Sequence, residues 1–256
     1  MFPLRDDNPH FLTPIVTYAL IAANVLAWAL LQGFGTEPAL SRSVCELGLT
    51  PGELLQTAAA GARVPVSETA VCIVTDMPSW FTPLTSMFMH GSWMHLIGNM
   101  WFLWIFGNNV EDSMGHARFV VFYLLCGFAA AAAQTLADPD SIIPMVGASG
   151  AIGGVMGAYV VLYPRVKVHM LVFLGFFVTT IAVPAVFMLG YWFALQLLSG
   201  ALSSAVEGGV AFWAHVGGFV AGAVLVLLFR NPRLLERHPY YGMQRASPTR
   251  SWRRTR

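Results

Sequence analysis

The sequence predicts an all-α membrane protein, in which six transmembrane helices form a bundle and both chain termini lie in the cytoplasm. Of the 256 residues, 56% are hydrophobic and only 11% are charged, whereas soluble domains contain about 25% charged residues. Six apolar stretches are each long enough to cross a bilayer, which takes about 20 residues. Basic residues are concentrated in alternate connecting segments, as expected of short cytoplasmic loops.

The six apolar stretches are assigned as spans from their length, and they lie at about 13–34, 86–107, 117–137, 146–163, 171–199 and 208–229. The first is expected to be retained, because acidic residues precede it and no small-residue cleavage site follows. The fifth is overlong and is interrupted by Pro184. We therefore expect its first part, from Leu171 to Ile181, at the membrane interface, and its helix to begin near this proline.

Positive charges set the orientation of the spans, because short cytoplasmic loops retain Lys and Arg. The outer side would hold Arg42 and Arg63 among many carboxylates. The cytoplasmic side would hold the remaining basic residues, namely Arg5, Arg118, Arg165, Lys167 and eight arginines from Arg230 onwards.

This orientation divides the chain into three parts. Residues 1–12 would form a cytoplasmic segment, 13–230 a six-span domain with a long exoplasmic first loop at about 35–85, and 231–256 a basic, disordered cytoplasmic tail. The tail is interpreted as an anchor to anionic lipids, and no nucleic-acid partner is expected. Cys45 and Cys72 lie in the first loop, where either a disulfide or two separate thiols would be compatible with the sequence.

Polar side chains within a bilayer are costly and therefore indicate candidate sites. They are His90, His95 and Asn99 near the second span, Ser149 at the start of the fourth and His215 in the sixth. Spans two, four and six run in the same direction, and His95, Ser149 and His215 each follow the outer start of their span by about one to three turns. Three helices would thus place reactive groups at a similar depth.

Ser149 and His215 together have the chemistry of a nucleophile and its base, since a serine hydroxyl reacts only after a neighbouring group accepts its proton. Small residues four apart follow both positions, which would allow the two helices to approach closely. His95 and Asn99 are also four apart, so both could donate hydrogen bonds toward one point. The small-residue pairs are Gly150 with Gly154, Gly153 with Gly157, and Gly218 with Gly222.

Other interpretations of these residues are open when each is taken alone. A membrane-embedded serine often bonds a helix carbonyl, an isolated histidine is often a core residue, and GxxxG pairs usually serve packing. His90, His95 and His215 could ligate zinc, but the HExxH pattern is absent. We therefore expect neither a metal nor another cofactor.

Three blocks of sequence resemble the rhomboid family of intramembrane serine proteases, and their order resembles its six-span bacterial type. The first block runs from His90 through His95 to Asn99 and continues from Gly107 to Asp112. The second spans residues 147–150, and the third spans residues 214–218 with Gly222. The likeness covers roughly residues 80–230.

The resemblance implies a Ser–His dyad, in which Ser149 attacks the scissile carbonyl and His215 transfers the proton to the leaving amine. It implies that His95, Asn99 and the Ser149 backbone N–H stabilise the oxyanion. Substrates would be single-span membrane proteins cleaved in the lipid bilayer, at a hydrated cavity open to the outside and beside a first loop that dips into the outer leaflet. A bacterial plasma membrane is the expected location.

Two positions depart from the family pattern. The first loop has Trp80 and Phe81 where many members have a Trp-Arg pair, which puts the anchoring of this loop in doubt. Gly153 replaces a tyrosine that stacks on the base in some members, so His215 has to be oriented by other packing. Two alternatives to a protease are a catalytically silent relative that binds membrane clients, and a small transporter or channel. The presence of both dyad residues disfavours the first, and the absence of clear intramembrane charges disfavours the second.

Overall fold

The computed structural model describes residues 2–175, 177–202 and 210–241, and these residues are mostly helical. Two 3₁₀ turns, Gly33–Gly35 and Ser86–Phe88, lie among the helices. The helices are α1 (Ile15–Leu30), α2 (Ala39–Leu47), α3 (Pro51–Leu54), α4 (Thr82–Thr85), α5 (Trp93–Met114), α6 (His116–Ala137), α7 (Ser149–Leu162), α8 (Ala185–Leu202), α9 (Phe212–Phe229) and α10 (Pro232–Arg237). The strands are β1 (Phe2–Asp6), β2 (Arg63–Pro65), β3 (Val71–Ile73), β4 (Lys167–Leu174) and β5 (Phe177–Pro184).

Each of the six predicted spans overlaps a helix, and these helices differ in how well their length and composition suit a bilayer. Helices α6, α8 and α9 have at least 18 residues and are apolar enough to cross a membrane. Helices α1 and α7 are apolar but shorter. Helix α5 has 22 residues, yet its last two turns carry asparagine, glutamate and aspartate. Within the described ranges, therefore, three helices meet both requirements for a span.

The all-α prediction is wrong for the first part of the fifth apolar stretch, which forms β-strands. Strands β4 and β5 form an antiparallel hairpin, which turns at Gly175 with a φ of 62°. β-Branched residues fill β5, and such residues favour extended backbone. β1 pairs with β4, so the sheet order is β1-β4-β5. Helix α8 begins at Ala185, directly after Pro184, as the position of that proline predicted.

Close packing of α7 against α9 is made possible by glycine on both helices. A Cβ atom built on Gly222 would overlap the carbonyl oxygen of Gly154, and one on Gly218 would overlap that of Gly150. The two backbones are therefore in direct contact, as the small-residue pattern predicted. This contact fixes the separation between the first turns of α7 and α9.

The first loop is structured and is stapled by a disulfide. Cys45 in α2 is bonded to Cys72 in β3, with a Cα–Cα distance of 5.2 Å. The structure thus supports the disulfide over two separate thiols. Glu53 adds a polar contact, because its carboxylate accepts hydrogen bonds from the Thr75 backbone N–H at 3.1 Å and the Ser79 hydroxyl at 2.8 Å.

Buried carboxylates near the carboxyl end of α5 bind the segment that leads into α1. Glu111 accepts hydrogen bonds from the Thr17 backbone and hydroxyl at 2.9 and 2.7 Å. Asp112 accepts from the Phe11 and Leu12 backbone N–H groups at 2.7 and 3.0 Å. Both carboxylates are fully buried. These bonds dock the start of the chain onto α5, because a buried carboxylate is stable only when it is well bonded.

Residues 231–241 are folded, so the prediction of a disordered tail is wrong for this segment. They include α10 and pack onto the end of α5, where the Asn231 backbone N–H donates to the Ser113 carbonyl at 2.8 Å. The ring of His238 is fully buried, and its Nε2 lies 3.3 Å from Asn109 Oδ1. The ring of His238 also packs against those of Tyr163 and Tyr241. This apolar burial could not be recognised from the basic composition of residues 231–256. Residues 242–256 lie outside the described residues.

Asp6, at the end of β1, is the basis of a prediction on stability. Burial raises the pKa of Asp6 to about 6, while the hydrogen bond from the Tyr159 hydroxyl opposes this shift. Native Asp6 therefore holds its proton in a pH range where the unfolded chain has lost it. The corresponding stability is present below pH 3.8 and is lost as the pH rises through about 6.

We expect Asp6→Asn to stabilise the protein at about pH 7 by on the order of 2 kcal/mol, and by much less at about pH 4. The amide keeps the acceptor for Tyr159 without a buried charge. Melting temperatures of wild type and variant, measured at both pH values, test this. Burial lowers the pKa of His238 to about 4. Because both proteins contain His238, its titration cancels when wild type and variant are compared at the same pH. Equal differences at both pH values would contradict the prediction.

Candidate active site

Ser149 and His215, which lie 66 residues apart in the chain, meet in the structure. Ser149 is the first residue of α7, and His215 lies in the first turn of α9. The distance from Ser149 Oγ to His215 Nε2 is 2.8 Å, a hydrogen-bond distance. The glycine contacts between these two helices bring the residues together, so packing and chemistry depend on the same small residues.

Two side chains of α8 hold the imidazole of His215. Its Nδ1 lies 2.7 Å from the Oε1 of Gln196. The ring of Trp192 lies 5.8 Å from the His215 ring, centroid to centroid, at an interplanar angle of 38°. These contacts provide the other packing that Gly153, in place of a stacking tyrosine, led us to expect. Neither residue was predicted from the sequence, because a tryptophan and a glutamine in an apolar helix form no pattern that links them to His215.

Asn99 presents a hydrogen-bond donor that is unused within the described structure. The residue is 8% exposed, and its side-chain Nδ2 bonds none of the described residues. Such an unpaired buried donor is costly. His95 lies one turn before Asn99 on the same face of α5. Its Nδ1 accepts a hydrogen bond from the Gly91 backbone N–H at 3.5 Å, which leaves Nε2 as the N–H donor of a neutral ring.

A cavity of about 340 Å³ joins these groups, and its lining contains both members of the pair and both donors. The remaining lining is largely apolar and includes Trp192, Met156 and Phe102. Polar groups that converge in a mainly apolar cavity are typical of a site for binding and reaction. The cavity is large enough to hold a short piece of extended peptide.

Gly147 leaves room for this arrangement. Its φ of 131° is a conformation that residues with a side chain rarely adopt. A Cβ atom there would lie 2.7 Å from His95 Nε2. A side chain at this position would therefore fill the space between His95 and Ser149.

His90, the remaining candidate, is placed differently from the other four. It is fully buried, its ring packs edge-on against His95 at 5.1 Å, and it does not line the cavity. Among the described residues, no three His, Cys, Asp or Glu side chains are grouped as metal ligands would be.

Comparison with known proteins identifies the family. The family model described as "Rhomboid domain" matches residues 78–232, which is more than half of the chain. The chain belongs to the rhomboid family. The matched segment contains His95, Asn99, Ser149 and His215. The resemblance inferred from the three sequence blocks is thereby confirmed at the level of the family, and the protein is an integral membrane protein.

Relatives of this rhomboid come from plants, yeast and bacteria. Rhomboid-like protein 11, chloroplastic, of Arabidopsis thaliana is 31% identical over 161 residues, which cover 60% of this chain and 54% of that protein. Rhomboid protein 1, mitochondrial, of Saccharomyces cerevisiae is 30% identical over 146 residues, 54% of this chain and 39% of that protein. YdcA, a rhomboid protein of Bacillus subtilis, is 31% identical over 80 residues, 31% of this chain and 40% of that protein.

This rhomboid spans about half the length of the first of these relatives and less of the other two. Two of the three relatives carry names that place them in chloroplasts or mitochondria. They give no support to the expected bacterial plasma membrane or to the six-span bacterial type.

Proposed function

We propose that this rhomboid is a serine endopeptidase that cleaves membrane proteins within the bilayer. The observation that supports this most directly is the 2.8 Å contact between Ser149 Oγ and His215 Nε2 at the edge of a cavity. A hydroxyl becomes an effective nucleophile when a neighbouring base accepts its proton during attack. His215 is held in place for that role by contacts on its other side.

The reaction would follow the acyl-enzyme route. The Ser149 oxygen attacks the scissile carbonyl while its proton moves to His215 Nε2, and the proton then passes to the leaving amine. Water attacks the acyl-enzyme with His215 again as base, which releases the acid and restores the serine. Negative charge on the carbonyl oxygen would be stabilised by Asn99 Nδ2, His95 Nε2 and the Ser149 backbone N–H, three donors in place before the reaction begins.

The proposed arrangement in the membrane has six spans within residues 13–230 and both termini in the cytoplasm. Arginine and lysine residues in the segments expected inside support this orientation. The cavity would then open near the outer leaflet, and the substrates would be single-span membrane proteins. Such a substrate would have to unwind locally to present an extended carbonyl to Ser149, because a helix keeps its carbonyls hydrogen-bonded.

A fluorophosphonate probe tests the function without knowledge of the natural substrate. We expect the purified full chain in lipid vesicles to be labelled at Ser149, and the Ser149→Ala variant to remain unlabelled. Peptide mapping by mass spectrometry locates the adduct. A folded wild-type chain that is not labelled, under conditions that label an active serine protease, would instead indicate a silent relative that binds membrane clients.

Asn99→Ala is expected to slow cleavage by about 10²–10³-fold, the usual effect of removing one oxyanion donor. Because Asn99 Nδ2 has no partner among the described residues, the same change should leave the melting temperature unchanged or raise it. Initial cleavage rates and thermal melts of the two proteins check both effects. An unchanged rate would remove Asn99 from the proposed oxyanion site.

A further inference from the structure

The imidazole of His215 is hydrogen-bonded at both of its nitrogens. Nε2 contacts the Ser149 hydroxyl at 2.8 Å, and Nδ1 contacts Gln196 Oε1 at 2.7 Å. A neutral imidazole has one N–H donor and one lone-pair acceptor, and the partner of one nitrogen determines the state of the other. The state of Nδ1 therefore decides whether Nε2 can accept a proton from Ser149.

We propose that Gln196 is a positioning residue that holds His215 in the tautomer able to act as the base. The amide oxygen of Gln196 can only accept a hydrogen bond, so Nδ1 carries the proton and the Nε2 lone pair faces Ser149. The inference rests on the proposed function, and it adds a third member to the pair of Ser149 and His215. Gln196 does not itself line the cavity, and its side chain contacts His215, so it acts through His215.

A neutral amide suits this position. A carboxylate next to His215 would stabilise the imidazolium formed during the reaction, but a charge in these apolar surroundings would be costly to desolvate. Gln196 is partly buried within α8, whose neighbouring side chains are largely apolar. The amide gives orientation without that cost, and it gives less charge stabilisation than an aspartate or glutamate would.

Helix α8 therefore orients the base through two successive turns. Trp192 lies four residues before Gln196 on the same face, and its ring packs against that of His215. The tryptophan restricts the tilt of the imidazole, while the amide fixes the position of its proton. The geometry of the site thus depends on α8 as well as on α7 and α9.

A purely structural hydrogen bond between α8 and α9 would have different consequences. Its loss would lower stability, but it would not change how the labelling rate depends on pH. The matched variants are Gln196→Met, which keeps the length and loses the acceptor, and Gln196→Glu, which keeps the acceptor and adds a charge. Leu198→Met, at an exposed position of the same helix, controls for substitutions in α8.

The experiment measures the rate constant for fluorophosphonate labelling of Ser149 as a function of pH, with a thermal melt of each protein. We expect Gln196→Met to lower the rate by about 10- to 100-fold, by analogy with the loss of a group that orients a metal-bound histidine. Gln196→Glu should restore most of the rate. It should also move the acidic limb of the pH profile to higher pH, because a carboxylate favours the protonated imidazole. His95, the other titratable side chain that lines the cavity with His215, is unchanged in all four proteins.

Two results would overturn the inference while the proposed function stands. One is an active wild type with an unchanged rate in a folded Gln196→Met variant. The other is a Gln196→Glu variant that is folded but labelled no faster than Gln196→Met. Failure of the proposed function gives a different result, because Ser149 would then remain unlabelled in the wild type itself.

Discussion

Replacement of His215 by alanine is expected to lower the rate of peptide-bond cleavage by about 10⁴-fold or more, since removing one member of a catalytic serine site costs nearly as much as removing all of it. The variant retains the Ser149 hydroxyl but loses the imidazole nitrogen that lies 2.8 Å from it and would accept its proton. Initial rates with a fluorescently labelled single-span substrate in lipid vesicles measure the effect. The rate should fall while substrate binding is largely preserved.

His169→Ala is the matched control for this variant. His169 lies in β4, where its Nε2 contacts Asp7 at 2.8 Å, and it is not part of the cavity lining. Its replacement should leave the cleavage rate close to that of wild type. If His215→Ala retained a comparable rate with an unaltered melting temperature, His215 could not be the base.

The second large effect is expected from Gly222→Ala. The added methyl group would overlap the Gly154 carbonyl oxygen, and this oxygen belongs to the helix backbone and cannot rotate away. Overpacking of this kind costs about 1–3 kcal/mol, and more where backbone has to move. Helices α7 and α9 would separate, and the distance between Ser149 and His215 would increase. We therefore expect a lower melting temperature together with a loss of fluorophosphonate labelling.

Gly190→Ala provides the comparison for that substitution. A Cβ atom at Gly190, in α8, would meet no described atom within 4 Å outside the backbone of its own helix and its chain neighbours. Because alanine is favoured over glycine in helices by up to about 1 kcal/mol, this variant should be neutral or stabilised. Similar melting temperatures for Gly222→Ala and Gly190→Ala would show that the contact between α7 and α9 is looser than the structure indicates.

The meeting of Ser149 with His215 could be anticipated from the sequence, because it depends on regular features. The rise per residue of a helix predicts how deep in the membrane each residue of a span lies. Because the direction of the spans alternates, spans two, four and six run the same way, and residues at similar distances from their outer ends lie at similar depths. Glycine spacing then predicted a close approach of α7 and α9, which the structure contains. Assignment of chemical roles to these residues is still a prediction, and the variants above test it.

Long-range pairing explains what the sequence did not reveal. The apolar stretch before Pro184 was expected at the membrane interface, but its strand conformation was not predicted. Pairing of β4 with β1, more than 160 residues earlier, stabilises it as a hairpin. The segment 231–241 was predicted to be disordered because the composition of residues 231–256 mixes arginine with proline, serine and glycine. Its folding depends on His238 and its tyrosine neighbours. Gln196 is recognised only from its 2.7 Å contact with His215, a residue 19 positions away on another helix.

The polar end of α5 also has a consequence for biogenesis. Asp112 and Glu111 bond residues 11–17, which are made before α5, whereas Asn109 and Ser113 bond residues 231–238, which are made after helices α1 to α9. The contacts of residues 11–17 can form while translation continues, but the contacts of residues 231–238 form only once α10 has been synthesised. A nascent chain stalled before that point would leave Asn109 and Ser113 of α5 without these partners.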